Sequence, residues 1–309
     1  MDPTEEAASR YRGMDVWPVQ DVLHALWSGQ MTAAAACLHT LPALTQVVEA
    51  AASRLGAGHG RLIYVGAGSA GMVAALDASD LGDTFDWPSD RLEILLAGGL
   101  DLSRGLAAEI EDDGAAGRDG LRALTAGPDD VVIGVSASGR SVFTIAAIEV
   151  ARQAGALTVA VTSNTGTPLI DAAQYPLVVV TGPEVVVGST RLGAGTAQKV
   201  ILNLFSTAVM VRLGRVHDNL MVDVRPRNAK LRRRCTTMVA RISGVEEAVA
   251  DEALARYGDV KSAVLGLAGA SADDIPDLLA AVGGNLRRAL ANVRPDVRPT
   301  VEAPSSQQK

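Results

Sequence analysis

Gly66-Ala67-Gly68-Ser69-Ala70-Gly71 follows the apolar run Arg61–Val65, and Ser136-Ala137-Ser138-Gly139-Arg140-Ser141 follows Val131–Val135. Each small-residue turn stands where a strand ends and a helix opens. Backbone N–H groups at such a point face an anion, and small side chains let it come close. One turn of this kind is a weak sign. Two of them, each on its own strand–helix unit, predict a parallel sheet that gathers phosphate-binding loops along one edge.

Working outward, Leu92–Ala97, Leu157–Thr162 and Pro176–Val180 read as further strands. Helices are expected over Met72–Ser79, Ser103 to about Ala116, Leu121–Leu124, Val142–Ala154 and Thr196 to Leu213. Short Val- and Ile-rich runs alternating with helices indicate βαβ units and a doubly wound α/β sheet. Ligands of such sheets sit beyond the carboxyl ends of the strands, where both turns lie. Residues 15–58 read as helical, interrupted at Pro18 and Pro42, and residues 1–13 as poorly ordered. Val245 to Ala291 reads as three short helices forming a small bundle, and Val293–Lys309 as a disordered tail.

Composition narrows the function classes. Hydrophobic residues make up 48% of the 309 but aromatics only 3%, so the core rests on Ala, Val and Leu. A formal net charge of −7 argues against a nucleic-acid partner, and stacking platforms for single strands are scarce. The basic stretch Arg225, Arg227, Lys230, Arg232, Arg233 and Arg234 therefore reads as a solvated helical face. Cys37 and Cys235 and the four histidines (His24, His39, His59, His217) show no metal-ligand spacing, so no metal is expected. The acidic N-terminus does not resemble a secretory signal. Apolar runs such as Leu177–Val180 are short and broken, so no membrane span and a cytoplasmic location are expected.

The first turn matches G-x-G-x-x-G, the dinucleotide fingerprint, but that pattern wants an acid at the end of the next strand. Here that strand ends in Gly98-Gly99. Ser136, Ser138 and Ser141 instead offer three hydroxyls in one helix-opening loop, with Arg140 adding charge, which suits a phosphate monoester. A capping serine accounts for one of them. A third loop runs from Thr181-Gly182-Pro183-Glu184 through Gly188-Ser189-Thr190-Arg191 into Gln198-Lys199. Long loops rich in glycine and hydroxyls are functional more often than not. Glu184 and Lys199 are its ionisable candidates, Lys199 also fitting an ordinary solvated helix position.

These segments resemble the sugar isomerase (SIS) domain proteins and, within them, the N-acetylmuramic acid 6-phosphate etherases. The resemblance runs through Asp15-Val16-Trp17-Pro18, Arg61–Gly71, Leu76-Asp77-Ala78-Ser79, Thr84-Phe85, Glu111-Asp112-Asp113, Ser138-Gly139-Arg140, Gly182–Lys199, Asn219–Val224 and Asn228–Leu231. It implies a flavodoxin-like, three-layer SIS domain over 59–224. Around it stand a helical segment at 1–58, a basic helix at 225–243, a UBA-like three-helix bundle at 244–292 and a tail at 293–309. It further implies a homodimer with shared sites, an amino-sugar 6-phosphate as small-molecule partner, and neither a metal nor an organic cofactor.

The reaction implied by the resemblance removes D-lactate from C3 of the sugar, in the recycling of cell-wall sugars. A base takes the C2 proton of the open-chain aldehyde, an acid protonates the departing oxygen, and water adds to the unsaturated intermediate. Such work needs two carboxyl groups with separated pKa values. The family's first catalytic glutamate follows Ala-Ser, where this chain has Asp80, one methylene shorter. The second is expected three residues before Glu111-Asp112-Asp113, where Ala108 stands, with Glu109 next to it. Asp80 and Glu109 are thus the catalytic candidates. Glu109, Glu111, Asp112 and Asp113 equally read as a solvated acidic face. Two smaller departures are Ser69-Ala70-Gly71-Met72 for the usual Thr-Ser-Gly-Arg, and Gly193 for a usual lysine. The phosphate and substrate candidates are Gly68, Ser69, Ser136, Ser138, Gly139, Arg140, Ser141, Glu184, Ser189, Thr190 and Lys199. The alternatives are a SIS-fold sensor that binds an amino-sugar phosphate without turnover, and a phosphosugar isomerase with Glu184 as base.

Overall fold

A computed structural model of the chain describes residues 2–100 and 108–293. Five strands, β1 (Leu62–Gly66), β2 (Leu92–Leu96), β3 (Val131–Val135), β4 (Leu157–Thr162) and β5 (Tyr175–Val178), form one parallel sheet in the order β2-β1-β3-β4-β5. β1, β3 and β4 are buried along their whole length. That is why they read as mostly apolar runs, with only Thr158 and Thr162 polar in β4, rather than as alternating ones. Each fully buried Ile or Val there contributes about 1.5–3 kcal/mol. Chain order reverses between β1 and β3, which are neighbours with Gly66 opposite Val135. The turns that follow these two strands therefore start side by side, at the switch point where doubly wound sheets bind ligands.

By contact the chain divides into two units, Met1–Gly82 with Trp87–Val209, and Asp83–Asp86 with Met210–Lys309. The first holds the sheet. Its helices include α1 (Val19–Ala36), α2 (Leu41–Leu55), most of α3 (Gly68–Phe85), α4 (Gly114–Ala123), α5 (Val142–Gln153), α6 (Pro168–Ala172) and most of α7 (Gly193–Arg212). Helix α3 comes unusually close to β1 because a Cβ on Gly66 would lie 2.6 Å from the Cα of Gly71. The two outer glycines of the first turn are thus required by packing. The second unit holds α8 (Ala229–Ser243), α9 (Glu247–Tyr257), α10 (Val260–Leu267), α11 (Ile275–Ala281) and α12 (Leu286–Val293) around Val239, Leu254, Val264 and Leu286. Asp223 is half-buried there with Lys261 and Arg215 as ion-pair partners.

Several local expectations need correction. The region 245–291 carries four helices rather than three, because Gly283 and Gly284 adopt positive φ and separate α11 from α12. The expected acidic helix falls partly on residues 101–107, outside the described residues. Its remainder is a 3-10 turn, Ala108–Asp112, after which the Asp113 carboxylate accepts the Ala116 N–H and starts α4 afresh. Residues 2–13 are not shapeless: Pro3–Glu5 and Ser9–Tyr11 form 3-10 turns, and Thr4 is wholly buried. The stretch Val19–Leu55 is, by length and composition, long and apolar enough to cross a membrane, contrary to the expectation from apolar runs. Alanine-rich helices scatter their few polar residues, so no single run stands out.

Candidate functional site

The second turn is held by its own hydroxyls. Ser136 Oγ accepts the Gly139 N–H at 3.1 Å, Ser138 Oγ accepts the Arg140 N–H at 3.1 Å, and Ser141 caps α5 by accepting the Thr144 N–H at 3.4 Å. All three thus have a place in the turn. Ser141 gives its proton to the Glu111 carbonyl, and Ser136 and Ser138 Oγ stand 3.3 Å apart, so one of that pair donates to the other and the other keeps its proton. Ser136, Gly139 and Ser141 are buried, whereas Ser138 is half-exposed and Arg140 exposed. Gly139 has φ +67°, and a Cβ there would meet Thr167 Cβ at 2.6 Å and Thr162 Oγ1 at 2.8 Å. Only glycine fits this position.

The first turn opens α3 with Gly68 at φ +54°, and Gly68, Ser69 and Ala70 are half-exposed. The carboxylate that reaches this turn is that of Glu111, whose Oε2 lies 3.7 Å from where a Gly68 Cβ would stand. The Glu111 carbonyl accepts from Ser141 Oγ at 3.5 Å, so this residue bridges the two turns. Burial, and then the charge of Asp112, push its carboxyl above the ordinary glutamate value. A carboxyl whose proton is held more firmly than usual, at the edge of such a turn, is a candidate for proton transfer. Glu109 is exposed. Reading by position in the acidic run pointed away from Glu111, since nothing local distinguishes it from its acidic neighbours.

The third loop is organised around Glu184, which is 3% exposed. Its two oxygens accept the Gly193 and Ala194 N–H groups, both at 2.8 Å, at the start of α7. A carboxylate at a helix N-terminus is favoured by the helix dipole as well. Ser189 and Thr190 are half-exposed in the turn before it. Lys199, exposed on α7, donates to Asn203 Oδ1, and Asn203 Nδ2 donates to Asp77 Oδ1. Asp77 also accepts from Tyr64 Oη at 2.9 Å and Ser206 Oγ at 3.2 Å. Burial holds its carboxyl above the usual value, and the donors from Asn203, Tyr64 and Ser206 oppose that rise. This polar chain, unread in the sequence, ties β1, α3 and α7 together.

The structure thus brings Gly68, Ser69, Ser138, Arg140 and Glu111 to adjoining strand ends. It does not bring Asp80 there. Asp80 is exposed, twelve residues along α3 from Gly68, which is about 18 Å at helical rise. No aspartate side chain spans that distance. Within one chain, Asp80 and Glu111 cannot act on adjacent carbons of one sugar. Leu76, one turn before Asp80 on the same face, is 56% exposed. Val19, Leu23, Trp27 and Met31 make a second exposed apolar row along α1.

A family described as the SIS domain matches residues 103–208. An N-acetylmuramic acid 6-phosphate etherase of Deinococcus radiodurans is 43% identical over 289 residues, covering 93% of this chain and 94% of its own. An etherase of the same name from Rubrobacter xylanophilus is 47% identical over 255 residues, covering 82% and 84%. One from Streptomyces coelicolor is 42% identical over 290 residues, covering 93% of each. A solved phosphoheptose isomerase from Neisseria gonorrhoeae overlays 62% of this chain and 98% of its own at 18% identity, with a TM-score of 0.47. That last likeness is too loose to bear on chemistry.

Proposed function

We infer that this chain, which belongs to the N-acetylmuramic acid 6-phosphate etherase family, is a carbon–oxygen lyase acting on that sugar phosphate. It cleaves the lactyl ether to give N-acetylglucosamine 6-phosphate and D-lactate. The two turns hold the 6-phosphate, through the Ser138 hydroxyl and the amides at the starts of α3 and α5, with Arg140 at the rim. The bond changes balance without an external oxidant or reductant. A base removes the C2 proton, the electron pair forms the C2–C3 double bond, and the C3–O bond breaks as an acid protonates the lactyl oxygen. Water then adds across the double bond, its hydroxyl going to C3 and its proton to C2.

Glu111 is the base in this reading, taking the part that position in the acidic run gave to Glu109. The observation that carries it is its carboxylate beside Gly68, bridging both turns. Asp80 is the acid and comes from a second copy of the chain. The 18 Å helical distance from Gly68 and the exposed Leu76 beside Asp80 support this shared, homodimeric site. Glu184 and Lys199 hold the third loop and α7 in place at its edge.

The test is D-lactate release from N-acetylmuramic acid 6-phosphate, run in H₂¹⁸O. One ¹⁸O atom should appear at C3 of the product sugar and none in the lactate. Tight binding of the sugar phosphate with no lactate at high protein concentration would replace the lyase with a sensor. Mixing two inactive variants, Asp80→Asn and Glu111→Gln, should restore up to a quarter of the sites if these side chains act across the dimer. No restoration after subunit exchange would defeat the shared site.

A further inference from the structure

The segment before α1 has no part in the reaction as described, yet three of its residues, Asp2, Thr4 and Glu5, lie against the site loops. Thr4 is wholly buried, and so is Asn164, at the carboxyl end of β4. Asn164 Nδ2 donates to Thr4 Oγ1 at 3.0 Å and to the Ala137 carbonyl at 3.1 Å. The Thr4 N–H faces Asn164 Oδ1 at 3.5 Å. On its other side, the Thr4 carbonyl accepts the Gly188 N–H at 3.2 Å, in the third loop. Asp2 takes the Arg140 guanidinium in a two-pronged pair, with Nε at 2.8 Å and the second nitrogen at 3.2 Å. Glu5 lies against Gly188, where a Cβ would stand 3.0 Å from its Oε2.

Asn164 carries the Thr4 contact to one peptide group. The Ala137 carbonyl accepts from Asn164 Nδ2, from the Ser163 N–H at 3.0 Å and from Thr162 Oγ1 at 3.2 Å. A carbonyl so held fixes the plane of its peptide, and the bond is trans. The Ser138 N–H then lies in that same plane, antiparallel to the carbonyl, and points away from Asn164. Ser138 is the half-exposed hydroxyl residue of the second turn. An amide aimed outward beside it is the donor a phosphate oxygen needs. The hydroxyls of the turn do not take this amide: Ser136 and Ser138 accept those of Gly139 and Arg140.

We propose that residues 2–5 form a clasp over the second and third loops, in which Thr4, acting through Asn164, is a positioning residue that aims the Ser138 amide at the phosphate. Asp2 completes the clasp by holding Arg140 at the rim. The proposal rests on the second turn being the phosphate loop, as argued above. Thr4 touches no substrate atom, so its effect falls on binding rather than on the chemical step.

Thr4→Val keeps the shape and removes the hydroxyl that Asn164 needs, and Thr4→Ser restores a hydroxyl. Thr4→Val should raise KM for N-acetylmuramic acid 6-phosphate at least tenfold with kcat within threefold. Thr4→Ser should stay within threefold of wild type in both. In the ligand-free protein, amide exchange of a peptide covering 136–141 should quicken at least fivefold in Thr4→Val, while the β1 peptide 62–66 is unchanged. That readout needs no substrate, so it judges the clasp even if the wild-type protein releases no lactate. Should Thr4→Val fail to fold, Asp2→Ala, which loosens only the partly exposed end, should still quicken exchange at 136–141. Unchanged KM and unchanged exchange in Thr4→Val would overturn the proposal. So would exchange that quickens equally in β1, or a fall in kcat as large as the rise in KM.

Discussion

Replacing Glu184 separates a structural carboxylate from a chemical one. Its two oxygens each accept a buried amide at 2.8 Å, from Gly193 and Ala194. Hydrogen bonds to a charged group contribute about 1.5–3 kcal/mol each. Glu184→Ala removes both and strands two N–H groups at the buried start of α7, so the expected loss is about 3–5 kcal/mol. Glu184→Gln keeps one acceptor and turns an NH₂ toward the other amide, for a loss of about 2 kcal/mol. The three tryptophans, Trp17, Trp27 and Trp87, all belong to the sheet-bearing unit. Urea unfolding followed by tryptophan fluorescence therefore reports on that unit alone. The urea midpoint should fall in the order wild type, Gln, Ala, and folded Glu184→Gln should keep at least a tenth of wild-type lactate release. A Gln variant with an unchanged midpoint and no turnover would refute the capping role. It would make Glu184 a group that faces the sugar.

Glu111→Gln should lower kcat/KM by about 10²–10⁴, whereas Glu109→Gln should stay within threefold; equal losses would remove the distinction drawn from geometry. Because burial and Asp112 raise the Glu111 carboxyl, the acidic limb of kcat/KM should lie above the ordinary glutamate value. Asp112→Asn should move that limb to lower pH, as a pH–rate profile would show. Gly139→Ala forces a Cβ against Thr167 at a positive φ and should abolish measurable sugar-phosphate binding in calorimetry. Asp130 is buried, which opposes its charge, yet the Arg61 side chain and the Arg61 and Gly127 amides hold its carboxyl below the usual value. The folded state thus favours the ionised form, so the stabilisation is complete above the unfolded pKa near about 4 and is lost as pH falls through the lower folded one. Asp130→Asn should cost about 2–3 kcal/mol at pH 7 and flatten the loss of stability as pH falls below about 4.

The strands and both turns were legible because burial on two faces leaves a run of Val, Ile and Leu that few other structures require. Helix starts at Gly114 and Ala229 were blurred by one or two turns, since a single capping side chain sets each boundary. The fourth helix of the region 245–291 was hidden for a similar local reason, a pair of glycines inside an apolar stretch. Glu111 was harder. In an acidic run, the member that counts is chosen by the 3-10 geometry after Ala108 and by the position of Gly68, both remote from local pattern.

By itself, the order of residues determined a parallel α/β sheet with two anion-binding turns at its carboxyl edge, and placed the chain near a phosphosugar family. Those features depend on local periodicity and on glycine, which act within a few residues. Tertiary structure alone decided that β1 and β3 are neighbours, that Glu111 reaches the first turn, and that Asp80 does not. It also buried Thr4 against Asn164, 160 residues away in the chain. Such pairings come from strand order and helix length in three dimensions, which no window of neighbouring residues encodes.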